Sequence, residues 1–289
     1  MTEYPKTRKR QNRVTECIFL EPSHAHTPLD REHVWGKWLR PFVRTNLNKH
    51  HLQSRTIGRP GTLDVTERTL RAGDPLLSHV KVVCKRCNSG WLSEIQNAAK
   101  QPLIPLIEGR RTVLSGAAQD TIAAWCAMAT ITAEYLTRDE TAVAISQQER
   151  DWLRDHGTPP ENWKIWIGYY PGRKGIWDHY VVPILDAEDV PQITSYGLAQ
   201  PNTQTTTFVI GNLLVHALSS TGDRDLVSRW NWTAASRIGL NLPQIFPRKE
   251  SFIVWPPNGL TDFEVKLISD ALGKFIDGAS RGILGNRIV

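Results

Sequence analysis

Between Ala117 and Leu136 the sequence is apolar almost all round: Ile122, Trp125, Cys126, Met128, Ile131, Tyr135 and Leu136 leave no polar stripe. A helix without a polar face must be covered on every side. The chain beyond residue 112 therefore has to supply layers around a central buried helix. A bilayer is not that cover. The charge-free part of the run, Thr121 to Ala133, is 13 residues long, short of the roughly 20 that a spanning helix needs. With 289 residues, 40% of them apolar and 22% charged, the chain can bury one large core or two ordinary ones. This excludes disordered and collagen-like classes.

Candidate layers follow the run. Residues 145–156 have the spacing of an amphipathic helix. Trp163 to Tyr170, His179 to Leu185, Thr205 to Leu218 and Ser251 to Trp255 read as strands, with a turn at Gly211-Asn212. Pro256-Pro257-Asn258-Gly259 is a sharp turn. Thr261 to Ile276 reads as a closing helix, with Thr261 as N-cap and Glu264 at the capping-box position. The expected fold class is α+β, with a buried helix and antiparallel strands in the C-terminal part.

Charge divides the chain. Residues 1–111 hold 20 basic and 10 acidic residues, net +10, and residues 112–289 hold 15 basic and 19 acidic, net −4. The expected organisation is a basic arm over 1–13, a first domain over 14–111 and an accessory domain over 112–289. A basic unit of this size suits a polyanion, chiefly DNA, with RNA also open. Candidate phosphate contacts are Arg31, Lys37, Arg44, Lys49, Arg55, Arg59, Lys85 and Arg86. Residues 41–79, broken by Gly58, Pro60, Gly61, Gly73 and Pro75, read as a long irregular loop. The part beyond 112 carries no readable chemical motif, and a homodimer contact or a protein partner is its expected role.

The chemistry lies in the first domain. Val80 to Val83 is a short strand signal that runs into Cys84-Lys85-Arg86-Cys87-Asn88. A helix is expected over 91–100, with Pro102 and Pro105 ending it. Two thiols spaced C-x-x-C at a strand-to-helix turn can reach one tetrahedral Zn²⁺. Cys17 is the natural third ligand, and either His24 or His26 the fourth. The alternative is a metal-free cluster with Cys17 as a small core residue. Glu32-His33 lies between Cys17 and the C-x-x-C turn. There a carboxylate, an imidazole and the Asn88 amide can be drawn together around a hard cation.

Cys17, Arg31-Glu32-His33-Val34-Trp35 and Val82-Val83-Cys84-Lys85-Arg86-Cys87-Asn88-Ser89-Gly90-Trp91 together resemble the HNH, or ββα-metal, nucleases. The form they resemble is the endonuclease VII-like one, in which Asn directly follows the last knuckle cysteine. The resemblance covers about the first 100 residues. It implies an N-terminal ββα-metal domain with a structural zinc knuckle, and metal-dependent hydrolysis of DNA phosphodiester bonds. His33 would be the general base, and Glu32 and Asn88 would ligate Mg²⁺ or Mn²⁺. The sequence departs from the family in three places. Leu20 stands where the first knuckle would have a second cysteine, Glu32 stands where Asp is commoner, and His79 stands where the middle Asn of the motif is expected.

Other signals are weaker. Gly278-x-Ser280-x-Gly282 matches a nucleophile-elbow pattern, but the last histidine is His216, so no partner follows it. Trp35, Trp38 and Trp91 suit either base stacking or a core. No apolar run follows the basic N-terminus, so a cytoplasmic setting with reduced cysteines is expected. Two readings of function stay open. One is an endonuclease with a phage or anti-phage role. The other is a catalytically inactive, zinc-stabilised nucleic-acid-binding module.

Overall fold

The computed structural model describes residues 14–19, 22–25, 27–42, 50–56, 67–71, 79–136, 143–172, 176–184, 201–222, 224–230, 232, 239–240 and 242–280. The strands are β1 (Leu29–His33), β2 (His50–Thr56), β3 (Glu67–Arg71), β4 (His79–Cys84), β5 (Thr112–Ser115), β6 (Trp163–Tyr169), β7 (Trp177–Val182), β8 (Thr203–Ile210), β9 (Leu213–Ser220), β10 (Gln244–Phe246) and β11 (Phe252–Trp255). The helices are α1 (Lys85–Ser89), α2 (Trp91–Glu108), α3 (Gly116–Ala133), α4 (Gln147–His156), α5 (Arg224–Arg229), α6 (Asp262–Ser269) and α7 (Ala271–Ser280). The fold is mixed α+β.

A seven-stranded sheet runs in the order β10-β6-β9-β8-β7-β2-β3. It is antiparallel throughout except for the β2–β7 pair. Strand alternation splits β6 between two cores. Trp163, Ile165 and Ile167 enter the cluster that holds α2 and α3, whereas Trp166 joins the cluster of Val265, Ile268, Leu272 and Phe275 from α6 and α7. Both sheet faces are thus covered. α3 is the apolar helix of the sequence, and every residue from Ile122 to Ala133 is buried.

The sheet has polar side chains inside it. Thr203, Gln204, Thr205, Thr206 and Thr207 of β8 are all buried. On the α3 face the Thr206 hydroxyl meets His179 Nδ1 at 2.8 Å and donates to Gln204 Oε1 at 2.7 Å, and Gln204 donates to Ser219 Oγ at 3.2 Å. His179 Nε2 lies 3.5 Å from Glu134 Oε1, which also accepts the Ala144 and Ile145 amides. Buried polar groups are tolerable when bonded in this way.

Two expectations fail in the first half of the chain. Residues 50–56 and 67–71, read as loop, are strands at the edge of the large sheet; only their backbone is described. Helix α2 does not stop at Pro102 or Pro105 but runs through both to Glu108. Ala99, Leu103, Leu106 and Ile107 bury one face of it, and packing outweighs the lost amide donors. The real stop is Gly109, left-handed at φ 70°.

The boundary drawn at Arg111 is crossed by one apolar cluster, from Ile18, Trp35, Val83 and Leu92 to Trp125, Phe208 and Trp255. Trp35 packs on Phe208 of β8 with ring centroids 4.7 Å apart. Buried Gln96 accepts from Trp38 and Trp125 indoles at 3.0 and 3.2 Å. Trp91 sits edge-on against Phe19. The three tryptophans are therefore core or core-margin residues. The closing helix is two helices, interrupted at Asp270, whose carboxylate accepts from Tyr180. The Thr261–Glu264 capping box is present. Among the described residues, no helix is long and apolar enough to cross a membrane.

The β8–β9 hairpin turns at Gly211-Asn212, with Gly211 at φ 57°. A Cβ there would lie 2.5 Å from the Ile107 carbonyl oxygen at the end of α2. Strain and clash act together, so Gly211→Ala should lower unfolding stability by about 2 kcal/mol or more in urea titrations. An unchanged midpoint would mean that the tip is not held against α2.

Candidate metal centre

β1 pairs antiparallel with β4, and β4 runs directly into α1. The register couples Leu29 with Cys84, Asp30 with Val83, Glu32 with Val80 and His33 with His79. Two steps in β1 face three in β4, so β4 carries the extra residue of a bulge. Cys84 ends the strand and caps α1, accepting the Cys87 amide on its sulfur at 3.5 Å. This turn brings Cys84 and Cys87 to one side, where Cys17 joins them.

The ligand atoms of Cys17, Cys84 and Cys87 lie within 4.8 Å of one another, and this cluster could hold a metal ion. His24 adds a nitrogen. Its Nδ1 is 3.2 Å from Cys87 Sγ and 3.6 Å from Cys84 Sγ. His26 lies outside the described residues. All four cysteines are free thiols; Cys126 is buried in α3 and takes no part. Two of the thiols share one proton. The Cys87 thiol and the Cys84 and Phe19 amides draw Cys17 down to about 5, against its burial. Cys87 is pushed far up by its hydrogen bond to Cys17 and by burial.

The Cys17 segment is fixed from two sides. The Ile18 amide donates to the Val82 carbonyl at 2.9 Å. From α4, Gln147 Nε2 and Arg150 Nε donate to the Ile18 carbonyl at 3.0 and 2.9 Å, and Arg154 Nη1 donates to the Phe19 carbonyl. Arg86 donates to the Ser23 carbonyl at 2.9 Å, tying the turn that carries His24 to α1.

Beyond the thiols, β1 presents its polar residues. His33 faces His79 across the strands, ring centroids 6.1 Å apart. Burial, then Lys37 and His79, lower the His33 pKa, so its imidazole is neutral at neutral pH. Glu32 is 6% exposed. Burial and the neighbouring Asp30 charge raise its carboxyl to about 7. Asn88 does not bond Glu32; its Nδ2 donates to Asp30 Oδ2 at 3.3 Å. The sequence reading missed Asp30, although its place two residues before Glu32 in a strand was a usable signal. Among the described residues, the three thiols are the one group of three or more Cys, His, Asp or Glu close enough to share a metal.

Of the candidate phosphate contacts, Arg31, Lys37, Lys85 and Arg86 are exposed beside this site. The Arg55 side chain and all of Arg44, Lys49, Arg59 and residues 1–13 lie outside the described residues. Compared with known proteins, the chain matches no family model, no curated protein and no solved structure.

The Glu32 shift has a pH signature. Its folded value is about 7 against an ordinary 4.5, so between these values the native state holds a proton that the unfolded chain has released. Stability falls as pH rises through that window and levels above it. Without added divalent cations, wild type should lose up to about 3 kcal/mol between pH 4.5 and 8 relative to Glu32→Gln, by urea denaturation. Parallel curves for the two proteins would remove Glu32 as the source.

Proposed function

We propose that the protein is a metal-dependent endonuclease of the HNH type, acting on DNA, with a zinc-stabilised β1-β4-α1 unit. The observation that supports this best is the order of the parts. Paired antiparallel strands run straight into a short helix, with His33 at the end of the first strand and Asn88 on the helix reaching back to that strand.

Cys17, Cys84, Cys87 and His24 fit zinc by donor type. Four donors on one tetrahedral ion lie about 3.5–3.8 Å apart, from bonds of about 2.3 Å to sulfur and 2.1 Å to nitrogen. The 3.6 Å contact of His24 falls in this range, and the 3.2 Å contact is about 0.3 Å shorter. Zinc here is structural, closing the turn that aims α1. The second cation, Mg²⁺ or Mn²⁺, would be held by Asn88 and a β1 carboxylate, Glu32 on the family pattern. It would supply positive charge at the scissile phosphate and the leaving oxygen. His33 is the base. Neutral at pH 7, its imidazole accepts a proton from the attacking water. Arg31, Lys37, Lys85 and Arg86 hold the backbone phosphates.

A non-catalytic binding module is the second reading, favoured by the burial of Glu32, which raises its carboxyl to about 7 and leaves it only partly ionised at neutral pH. Plasmid nicking in Mg²⁺ separates the two. His33→Ala should cut 10²–10⁴-fold more slowly, roughly the worth of a general base. Equal rates would defeat the catalytic reading, and DNA retention without cutting would favour the binding module. Purified protein should carry about one zinc per chain. Removing the α4 clamp with Arg150→Ala and Arg154→Ala together should weaken zinc about tenfold in chelator competition. Unchanged affinity would mean that Cys17 needs no outside support.

A further inference from the structure

The contact between Asn88 and Asp30 redirects the search for the cation's carboxylate. The family pattern points to the residue directly before the histidine, Glu32. That side chain is buried, whereas Asp30 is exposed and is the carboxylate that Asn88 meets. The two positions are two apart in β1, and the bulge lies in β4, so alternation along β1 sends both side chains to one face.

We infer that Asp30, rather than Glu32, is the carboxylate that shares the divalent cation with Asn88; this rests on the endonuclease reading above. Adjacent corners of an octahedron with bonds of about 2.1 Å lie about 3.0 Å apart. The Asn88 amide and Asp30 Oδ2 are 3.3 Å apart, so both can reach one ion with little movement. Asn88 needs only a half-turn of its terminal amide to present Oδ1 in place of Nδ2. The Asp30 carboxylate is already oriented, because its Oδ1 accepts the Arg31 amide at 2.8 Å. Each carboxylate oxygen carries two lone pairs, so Oδ2 can leave the amide for a cation without disturbing that bond. Exposure suits Mg²⁺, which keeps several waters and takes its remaining ligands from substrate phosphate. Glu32, buried on the same strand face, would then stay out of the ligand set.

The test is Mn²⁺ binding to the zinc-loaded full chain, followed by electron paramagnetic resonance, alongside plasmid nicking over a range of Mg²⁺ concentrations. Asp30→Asn keeps the Oδ1 acceptor for the Arg31 amide and removes the charge, and its Nδ2 can donate to Asn88 Oδ1 once the Asn88 amide turns over. It should weaken Mn²⁺ at least tenfold, raise the Mg²⁺ needed for half-maximal nicking by a similar factor, and leave zinc content unchanged. Glu32→Gln should weaken Mn²⁺ less. Unaltered Mn²⁺ affinity in Asp30→Asn overturns the inference, as does a wild type that binds no Mn²⁺ or a loss confined to Glu32→Gln. If wild type holds Mn²⁺ through Asp30 yet cuts no nucleic acid, the inference stands and the endonuclease reading falls.

Discussion

Two hydrogen-bonded carbonyls, those of Ile18 and Phe19, fix the geometry on which the candidate metal centre depends. Cys17 sits in a segment with no helix or strand of its own, and only a turn and the Phe19 amide order it locally. β4 holds it through the Ile18 amide, and Gln147, Arg150 and Arg154 of α4 hold it through its carbonyls. These donors come from more than 120 residues away in the chain. Hydrogen bonds from a guanidinium are among the stronger ones. A thiol placed in this way arrives at the Cys84-Cys87 turn already oriented, and ordering it on metal binding costs less entropy.

The same logic ties His33 to the sheet. His33 ends β1, and Trp35 two residues later is locked against Phe208 of β8. Trp38 is locked by Gln96, which also holds Trp125 of the buried helix. The edge of the candidate site is thus fastened to the most buried part of the molecule. The polar chain from Glu134 through His179, Thr206 and Gln204 to Ser219 adds register to that platform. A one-residue slip would leave these buried groups unpaired, which costs more than the bonds themselves contribute.

What was legible in the sequence follows from how local each signal is. The apolar run of α3 and the Thr261 cap are written in consecutive residues, and they appear as read, whereas the Ser146 capping box of α4 was not read. The C-x-x-C turn and its third thiol, Cys17, were legible because thiols have few other reasons to cluster. Of the two histidines offered as a fourth donor, His24 lies beside these thiols and His26 falls outside the described residues. β2 and β3 were not legible, because β2 pairs in parallel with β7, more than a hundred residues away, and its own stretch is polar and glycine-broken. The prolines of α2 misled for the same reason. Their local effect is real, but contacts with the core outweigh it.

Asp30 shows where motif reasoning stops and geometry has to take over. A motif ranks residues by distance along the chain from the histidine, which favours Glu32. The folded chain ranks them by which side chain stays in water and faces the helix. Burial makes the charged form of Glu32 expensive, and the bare charge of Asp30 beside it adds to that expense. A cation between Asn88 and Asp30 would relieve the repulsion without having to strip water from a buried carboxylate. Burial and charge therefore favour the exposed residue over the buried one as the ion's ligand, of two carboxylates on one strand face.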